Sequence, residues 1–284
     1  FTSGATESAA LALSGRDIMC SRLEHEAVTS WCSAKLSADQ FGIVEIEEPE
    51  QSALQVANSE TGIMQKYVQG IWLSDMTQAF GKVPLAFNWH GCHCAMISAH
   101  KVGGPKGIGA LIVKRGTDLA AHIKGGGQEM GRRSGTENVL GIVGFGAAAE
   151  AAQKDLVNGE WEKISEFRMI LENMIEEFSD VPILVGRDSN RLPNTTCLIT
   201  PGWKGETQVM QMDLEGMAVS AGSACSSGKV KSSDVLQAMG FSENQASCAL
   251  RVSLGLETTR DEVLRFADTW LKKFEYNSKR KNNN

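Results

Sequence analysis

The stretch Ala95-Met96-Ile97-Ser98-Ala99-His100-Lys101 is a short apolar run that ends in polar residues. A glycine-rich loop follows it, and another apolar run extends from Ile108 to Val113. Earlier in the chain, Ile71-Trp72-Leu73-Ser74-Asp75 has the same form and ends in a carboxylate. Short apolar runs of this kind are typical of buried strands. Strands with polar ends predict an α/β sheet that carries a functional site at those ends.

The pattern changes beyond a long helix predicted from about Val139 to Leu156. Helical spacing of apolar residues predicts core-facing helices around Trp161 to Phe178 and around Val263 to Phe274. Strands are predicted between these helices, at Ile183-Val185, Thr195-Ile199, Ala218-Ser220 and Arg251-Leu254. We therefore expect a large domain over residues 1–156 and a smaller α+β domain over residues 157–284.

Composition excludes several classes of protein. The 284 residues include 28 basic and 34 acidic side chains, for a net charge of −6, which argues against a nucleic-acid partner. The number of cysteines, 7, is odd, and the sequence shows no secretory signal. We therefore expect free thiols and a cytoplasmic location. The longest weakly polar run, Val139 to Ala149, falls short of the roughly 20 residues of a membrane helix.

Several separated side chains have the chemistry of a pyridoxal 5'-phosphate (PLP) site. Each has an ordinary explanation alone, as a helix cap, a solvated charge or a small core residue. Together they match a cofactor that needs an attaching amine, an acid against its ring nitrogen and a cradle for its phosphate. Lys101 can supply the amine and Asp75 the acid. The remaining candidates are Gln78 for the ring oxygen, Thr6, Ser98 and His100 for the phosphate, and His25 for ring stacking and proton transfer.

Cys225 is the candidate nucleophile, within Gly222-Ser223-Ala224-Cys225-Ser226-Ser227-Gly228. A thiolate that collects sulfur and carries it outward needs a segment with little bulk and few packing anchors, which Gly, Ser and Ala provide. Cys92-His93-Cys94 looks like a metal clip but lacks a fourth ligand at zinc spacing, so no metal site is predicted.

Sequence blocks in a fixed order carry a family resemblance. They are Thr2-Ser3-Gly4-Ala5-Thr6-Glu7-Ser8, Glu24-His25-x-Ala27-Val28, Ser98-Ala99-His100-Lys101, Gly104-Pro105-Lys106-Gly107-Ile108-Gly109-Ala110, Gly125-Gly126-Gly127-Gln128-Glu129-x-Gly131-Arg132-Arg133-Ser134-Gly135-Thr136-Glu137-Asn138 and the Cys225 block. The chain resembles the cysteine desulfurases, which are class V aminotransferases of PLP fold type I. The resemblance implies a large domain with a mainly parallel sheet flanked by helices, and a smaller C-terminal α+β domain with the cysteine loop.

The same resemblance implies an activity and the roles of further residues. It implies a homodimer that converts L-cysteine to L-alanine and leaves the sulfur as a persulfide on Cys225. The sulfur then passes to an acceptor protein, such as an iron–sulfur scaffold, or to tRNA thiolation. Arg251 matches the residue that binds the substrate carboxylate, and Asn58 is assigned to substrate binding with it. Thr136 matches a residue that reaches the phosphate of the partner subunit's cofactor.

The chain departs from the family pattern at several places. Ser59 stands where a second asparagine is common, so its contact with the cofactor oxygen comes from a shorter stem. Leu256 replaces an arginine found in many relatives, which leaves Arg251 to hold the carboxylate. The usual N-terminal segment is missing, and residues 25–58 and 62–75 are shorter than usual. The second of these stretches leaves little room for a crossover helix.

Two other functions remain open on the sequence. One is a selenocysteine lyase or another class V lyase or aminotransferase that uses the same site. The Cys225 loop separates this reading from a desulfurase, because transamination needs no such thiol. The other is a non-catalytic, truncated chain that binds a complete subunit, which the shortened start favours.

Overall fold

The computed structural model describes residues 1–222 and 232–282, and the chain divides into two compact units. The first unit contains residues 1–59 and 64–159. The second contains residues 60–63 and 160–284. Among the helices within the described ranges, none is long and apolar enough to cross a membrane.

The first unit is built around a four-stranded mixed sheet. Its helices are α1 (Ala5–Leu13), α2 (Glu26–Thr29), α3 (Phe87–His90) and α4 (Val139–Val157). Its strands are β1 (Met19–Ser21), β2 (Ser33–Leu36), β3 (Ala53–Gln55), β4 (Leu73–Asp75), β5 (Cys94–Ser98) and β6 (Gly109–Val113). The sheet has the order β3-β4-β5-β6, in which only the β5–β6 pair is antiparallel. Strands β1 and β2 form a separate parallel pair.

The apolar runs of the sequence form the centre of this sheet. All five residues of β5 are buried, which explains why the run is continuously apolar instead of alternating. Helix α1 supplies Ala9, Ala12 and Leu13 to the same core cluster as Leu73 and Met96. The predicted α/β fold class and the three predicted strands at the sheet centre are confirmed.

The connection from β3 to β4 is short and contains no helix, although the two strands are parallel. Part of this connection, Glu60–Ile63, belongs to the second unit. There the carbonyl of Gly62 accepts a bond of 2.8 Å from the Leu192 amide, and Ile63 forms a bridge with Arg191. Contacts within the second unit therefore hold residues 60–63, in a connection of a kind that usually contains a helix.

The second unit packs helices on an antiparallel sheet. Its helices are α5 (Glu160–Phe178), α6 (Gly205–Leu214), α7 (Asp234–Ala238), α8 (Glu243–Ala246) and α9 (Arg260–Asn282). Its strands are β7 (Ile183–Leu184), β8 (Thr195–Ile199), β9 (Ser220–Ala221) and β10 (Ala249–Ser253), in the order β7-β8-β10-β9. The β8 prediction has the correct bounds. The Ala218-Ser220 prediction is shifted, because the pairs Ser220 with Arg251 and Ala221 with Leu250 set the register of β9.

A buried carboxylate, Glu172 on α5, fastens this unit internally. Its Oε2 accepts bonds from Arg191 at 2.8 Å and Arg187 at 3.1 Å, and its Oε1 accepts a bond of 2.8 Å from the Thr196 hydroxyl. Arg168 lies 3.4 Å away, one helical turn earlier. The side chain of Arg191 is only 1% exposed, so its charge depends on Glu172 for compensation.

We expect Glu172→Gln to destabilise the protein by about 3–5 kcal/mol, because it leaves the buried Arg191 charge without its counterion. Urea unfolding followed by tryptophan fluorescence measures the change. Glu176→Gln is the matched control on the same helix: its 45% exposed carboxylate pairs with Arg187 at the surface and should cost less than about 1 kcal/mol. Equal losses in the two variants would contradict the importance of burial.

Candidate active site

The amino end of α1 lies against the carboxyl end of β5. A Cβ placed on Gly4, the residue before α1, would be 3.5 Å from Ser98 Oγ. A Cβ on Gly109 would be 2.7 Å from the Gly4 Cα, so the two backbones approach too closely for a side chain at Gly109. Thr2 pairs with Gly109 and holds this approach through two backbone bonds. The helix start is therefore fixed beside the end of the strand.

This arrangement suits a phosphate. The first-turn amides of α1 point out of the helix start, and Thr6 is an exposed residue of that turn. Ser98 Oγ is 3.1 Å from His100 Nδ1. Burial and the charges of Lys101 and Lys106 lower the pKa of His100, which favours the neutral imidazole.

Asp75 ends β4, the strand next to β5. Its Oδ1 accepts a bond of 2.8 Å from the Thr77 amide. Burial raises the pKa of Asp75, while the Thr77 bonds and the charges of His25 and Lys101 act in the opposite direction. The half-buried carboxylate thus lies within electrostatic reach of the candidate amine and the candidate stacking imidazole.

His25 is exposed and caps α2. Its Nδ1 accepts a bond of 3.0 Å from the Ala27 amide, so the neutral ring carries its proton on Nε2. The capping bond fixes the ring while Nε2 keeps its capacity to donate. The start of α2 therefore holds the His25 ring in one orientation through the Ala27 amide.

The other candidate residues of the first unit differ in exposure and in hydrogen bonding. Asn58 is buried, and its Nδ2 donates to the Leu23 carbonyl at 3.0 Å, so its amide has a structural bond. Ser59 and Gln78 are half-buried. Thr136 is exposed on the loop before α4. That loop is tied to α1 by a bond of 2.9 Å from Arg133 to Glu7.

Two further predicted residues belong to the second unit or lie outside the described ranges. Arg251 lies on β10 in the second unit, where it pairs with Cys197 of β8 and Ser220 of β9. Cys225 lies outside the described residues. The structure therefore brings together the cofactor candidates of the first unit, His25, Asp75, Ser98, His100 and Lys101, with the start of α1.

Sequence reasoning missed Glu24 and Lys82. Glu24 is 5% exposed; its Oε1 accepts a bond of 2.8 Å from the Gln55 amide, and its buried Oε2 has no hydrogen-bond partner within the described chain. Burial raises the pKa of Glu24 well above its usual range, and the nearby Asp75 adds to the rise. Lys82 donates to the Gln78 carbonyl at 2.8 Å. The sequence offered one signal for each residue. Glu24 directly precedes His25, and Lys82 follows Gln78 by one helical turn of sequence.

The residues present fit PLP. The start of α1 with Ser98 forms a cradle for a phosphate, and its shape requires glycine at Gly109. At the other end, the half-buried carboxylate of Asp75 has one oxygen bonded to the Thr77 amide, and desolvation raises its pKa, so positive charge nearby favours its ionised form. The protonated ring nitrogen of a bound cofactor would supply that charge. Lys101 follows Ser98 and His100 on the same segment.

Glu60 connects several elements of the second unit. Its Oε2 accepts a bond of 2.5 Å from Ser233 Oγ, and the same hydroxyl accepts a bond from the Leu236 amide to cap α7. Burial raises the pKa of Glu60 to about 7, against the lowering effects of the Ser233 bond and the Arg251 charge; Asp234 raises it further. Glu60 therefore titrates near neutral pH beside the predicted carboxylate-binding arginine.

Comparisons with known proteins agree on one family. Residues 55–266 match the family Aminotransferase class-V. A cysteine desulfurase of Sinorhizobium fredii is 37% identical, with 96% of this chain and 80% of that protein covered. Cysteine desulfurase IscS of Dictyoglomus turgidum is 35% identical over 93% of this chain and 75% of that protein. The X-ray structure of a NifS-like protein from Rickettsia africae aligns with a TM-score of 0.85, at 29% identity, covering 96% and 81% of the two chains.

The Glu60 geometry predicts a pH dependence of stability. Folding raises the pKa of the Glu60 carboxyl from 4.5 to about 7, so the native state binds this proton more tightly than the unfolded state. The protonated group therefore contributes fully to stability below pH 4.5, and this contribution is lost as the pH rises through about 7. We expect Glu60→Gln to remove the loss of stability that comes from this group. The free energy of unfolding should therefore differ less between pH 5 and pH 8 in the variant than in the wild type.

Urea unfolding at the two pH values measures the effect. Glu206→Gln, which changes an exposed carboxylate on α6, is the control and should keep the wild-type difference. An unchanged difference in Glu60→Gln would contradict the burial of a titrating group at this position.

Proposed function

This chain belongs to the class V aminotransferases and is a PLP-dependent cysteine desulfurase, and we propose that it stores the sulfur of L-cysteine as a persulfide on Cys225. One observation carries the proposal for the site. The half-buried carboxylate of Asp75 lies within electrostatic reach of His25 and Lys101 at the carboxyl ends of adjacent parallel strands. PLP chemistry needs an acid against the ring nitrogen and an attaching amine, and an imidazole can stack on the ring.

Each residue of the first unit has a proposed role toward the cofactor. Lys101 is the attaching amine, and Asp75 holds the proton on the ring nitrogen. Gln78 and Ser59 bond the ring oxygen, and His25 stacks on the ring. Thr6, Ser98 and His100 bind the phosphate with the α1 amides. The bound cofactor supplies an electron sink for bonds at the substrate α-carbon.

Two side chains are proposed to bind the substrate. Arg251 is the proposed partner of the L-cysteine carboxylate, because a guanidinium forms two parallel bonds to a carboxylate. Asn58 is proposed to assist substrate binding. Leu256 cannot provide a second guanidinium, so the affinity for the carboxylate depends on Arg251.

Cys225 is the proposed sulfur carrier. Its thiolate attacks the substrate sulfur, the bond between that sulfur and carbon breaks, and the electron pair of this bond goes to the substrate. The products are L-alanine and a persulfide with one added sulfur atom, so the step needs no external oxidant. A thiol of an acceptor protein can then take the outer sulfur by the same kind of exchange. We propose an iron–sulfur scaffold or a tRNA-thiolation protein as that acceptor.

The first unit has a surface suited to a second copy of this chain. On α4, Phe145 and Ala152 face the core, whereas Leu140 is 87% exposed and Val143 is 65% exposed. Met130, in the loop before the helix, is also exposed. Apolar side chains clustered on one surface are typical of an interface. We propose that this surface forms a homodimer, in which Thr136 from the adjoining loop binds the phosphate of the partner's cofactor.

Cys225→Ser should separate substrate binding from sulfur transfer. Serine keeps the shape of cysteine but lacks a nucleophilic sulfur, so L-cysteine should still change the visible spectrum of the cofactor-loaded variant while alanine release falls at least a hundredfold. Mass spectrometry of the wild type after cysteine addition should find one extra, reducible sulfur on the Cys225 peptide. Cys32→Ser, at a half-buried cysteine of the first unit, should behave like the wild type.

The other functions give different results in this experiment. Alanine release that survives in Cys225→Ser would favour a selenocysteine lyase or another class V lyase. A wild-type protein whose spectrum does not respond to cysteine would favour a non-catalytic chain that binds a complete subunit.

Leu140→Asp should weaken the dimer, because it places a charge in an interface that is otherwise apolar. Light scattering coupled to size-exclusion chromatography should show a change from dimer mass to monomer mass at micromolar concentration. Val157→Asp is the control at the opposite end of the same helix, where the side chain is 76% exposed, and it should leave the mass unchanged. A wild-type monomer would contradict the proposed interface.

A further inference from the structure

Arg133 joins the loop before α4 to the first turn of α1. Its Nε donates to Glu7 Oε1 at 2.9 Å, and its Nη2 donates to Glu7 Oε2 at 3.4 Å. A guanidinium that bonds both oxygens of one carboxylate is held in a defined orientation. The side chains of Arg133 and Glu7 are only 27% and 20% exposed, so water screens this pair less than a pair on the open surface. The pair therefore fixes the loop against the helix.

Glu7 is itself held in place at the start of α1. Its Oε2 also accepts a bond of 2.8 Å from the Ser3 amide, just before the helix. Burial alone would raise the pKa of Glu7, but the bonds from Arg133 and Ser3 outweigh it and lower the pKa to about 2. Glu7 is therefore a carboxylate at any physiological pH. It gives Arg133 a fixed anchor on the helix whose start is proposed to bind the phosphate.

Thr136 lies between two fixed points of the same loop. Arg133, three residues earlier, is bonded to α1. Asn138, two residues later, caps α4, where its Oδ1 accepts a bond of 3.0 Å from the Gly141 amide. Between Arg133 and Thr136, Ser134 is buried. The backbone position of the exposed Thr136 is therefore set from both sides.

We propose that Arg133 is a positioning residue for the partner subunit: by anchoring the loop to α1 of its own chain, it holds Thr136 where the phosphate of the partner's cofactor binds. The inference rests on the proposed function, in which two copies of this chain form the dimer and Thr136 binds across it. Because α1 is itself proposed to bind phosphate, the pair of Arg133 and Glu7 connects the two cofactor sites of the dimer.

Mixed dimers test the inference, because the effect should appear in the chain that keeps Arg133. One chain carries Lys101→Ala and Arg133→Met, the other is wild type, and two affinity tags select the mixed dimer. After PLP titration and borohydride reduction, only the wild-type chain can take a pyridoxyl group on Lys101, which mass spectrometry measures. Half-loading of that chain should need about tenfold more PLP than in a dimer whose first chain carries Lys101→Ala alone, as for one lost hydrogen bond to a charged group.

The reverse arrangement separates this role from a purely structural one. Here Arg133→Met is in the chain that keeps Lys101, and the Lys101→Ala chain supplies an intact loop. The loading of Lys101 should change much less than in the first arrangement. An equal or larger loss in the reverse arrangement would overturn the inference, because it would show that Arg133 supports the cofactor site of its own chain.

Further variants in the Lys101→Ala chain identify the interaction that is responsible. Arg133→Lys keeps the charge and should restore part of the loading, whereas Glu7→Met removes the anchor and should match Arg133→Met. Arg132→Met is the matched control in the same loop. The Arg132 guanidinium bonds the Thr117 carbonyl at 3.4 Å, so its loss should leave the loading unchanged. A loss in Arg132→Met as large as in Arg133→Met would overturn the inference.

Thr136→Val in the Lys101→Ala chain tests the premise. A loss of loading in the wild-type partner with Thr136→Val, but none with Arg133→Met, would overturn the inference and leave the proposed role of Thr136 intact. No loss with Thr136→Val would overturn both the role of Thr136 across the dimer and the inference built on it. The absence of a pyridoxyl group on Lys101 of the wild-type dimer would likewise overturn both. Failure of the inference alone is therefore distinguishable from failure of the proposed function.

Discussion

The parallel pairing of β4 with β5 is the constraint on which the site depends. It aligns Asp75 with Met96, so the carboxyl ends of both strands reach the same edge of the sheet. Ser98, His100 and Lys101 follow directly from β5. A shift by one residue would turn Asp75 to the other face of the sheet. The buried side chains of both strands hold this register, and the chemistry at the edge follows from it.

Close backbone contact extends the same constraint to α1, the helix proposed to bind the phosphate. Strand β6 pairs with β5, and Gly109 at its start touches the backbone of Gly4. The absence of a side chain at Gly109 lets the chain before α1 lie across the sheet edge. The start of α1, proposed to bind the phosphate, is therefore positioned by two glycines and a strand pairing. The helix places Thr6, an exposed residue, at the same edge of the sheet.

The sequence predicted the fold better than it predicted the supporting residues of the site. The sequence identifies β4, β5, β6 and β8, and for β5 and β8 the reason is burial on both faces, which leaves a composition that is visible locally. The position of β9 was shifted, because that strand depends on pairing with β10, a distant segment. Glu24 and Lys82 were missed for a related reason: their importance comes from the distant groups that surround them, Gln55 for one and Lys101 for the other. The bonds from Arg191 and Thr196 to Glu172 likewise join residues whose spacing in sequence gives no signal.

The shortened connection between β3 and β4 has a consequence for how the two units share the function. Asn58 and Ser59 belong to the first unit, and Glu60 to Ile63 belong to the second. Gly62 contacts Thr195 so closely that a Cβ would be 2.9 Å from the threonine Cβ, and Glu60 binds the hydroxyl that caps α7. Loss of a crossover helix between Gly62 and Asp75 leaves these contacts intact, because they precede it in the chain. The residues proposed to bind cofactor and substrate are positioned by strand pairing and by residues 58–63. Their positions therefore do not require a helix in the connection between β3 and β4.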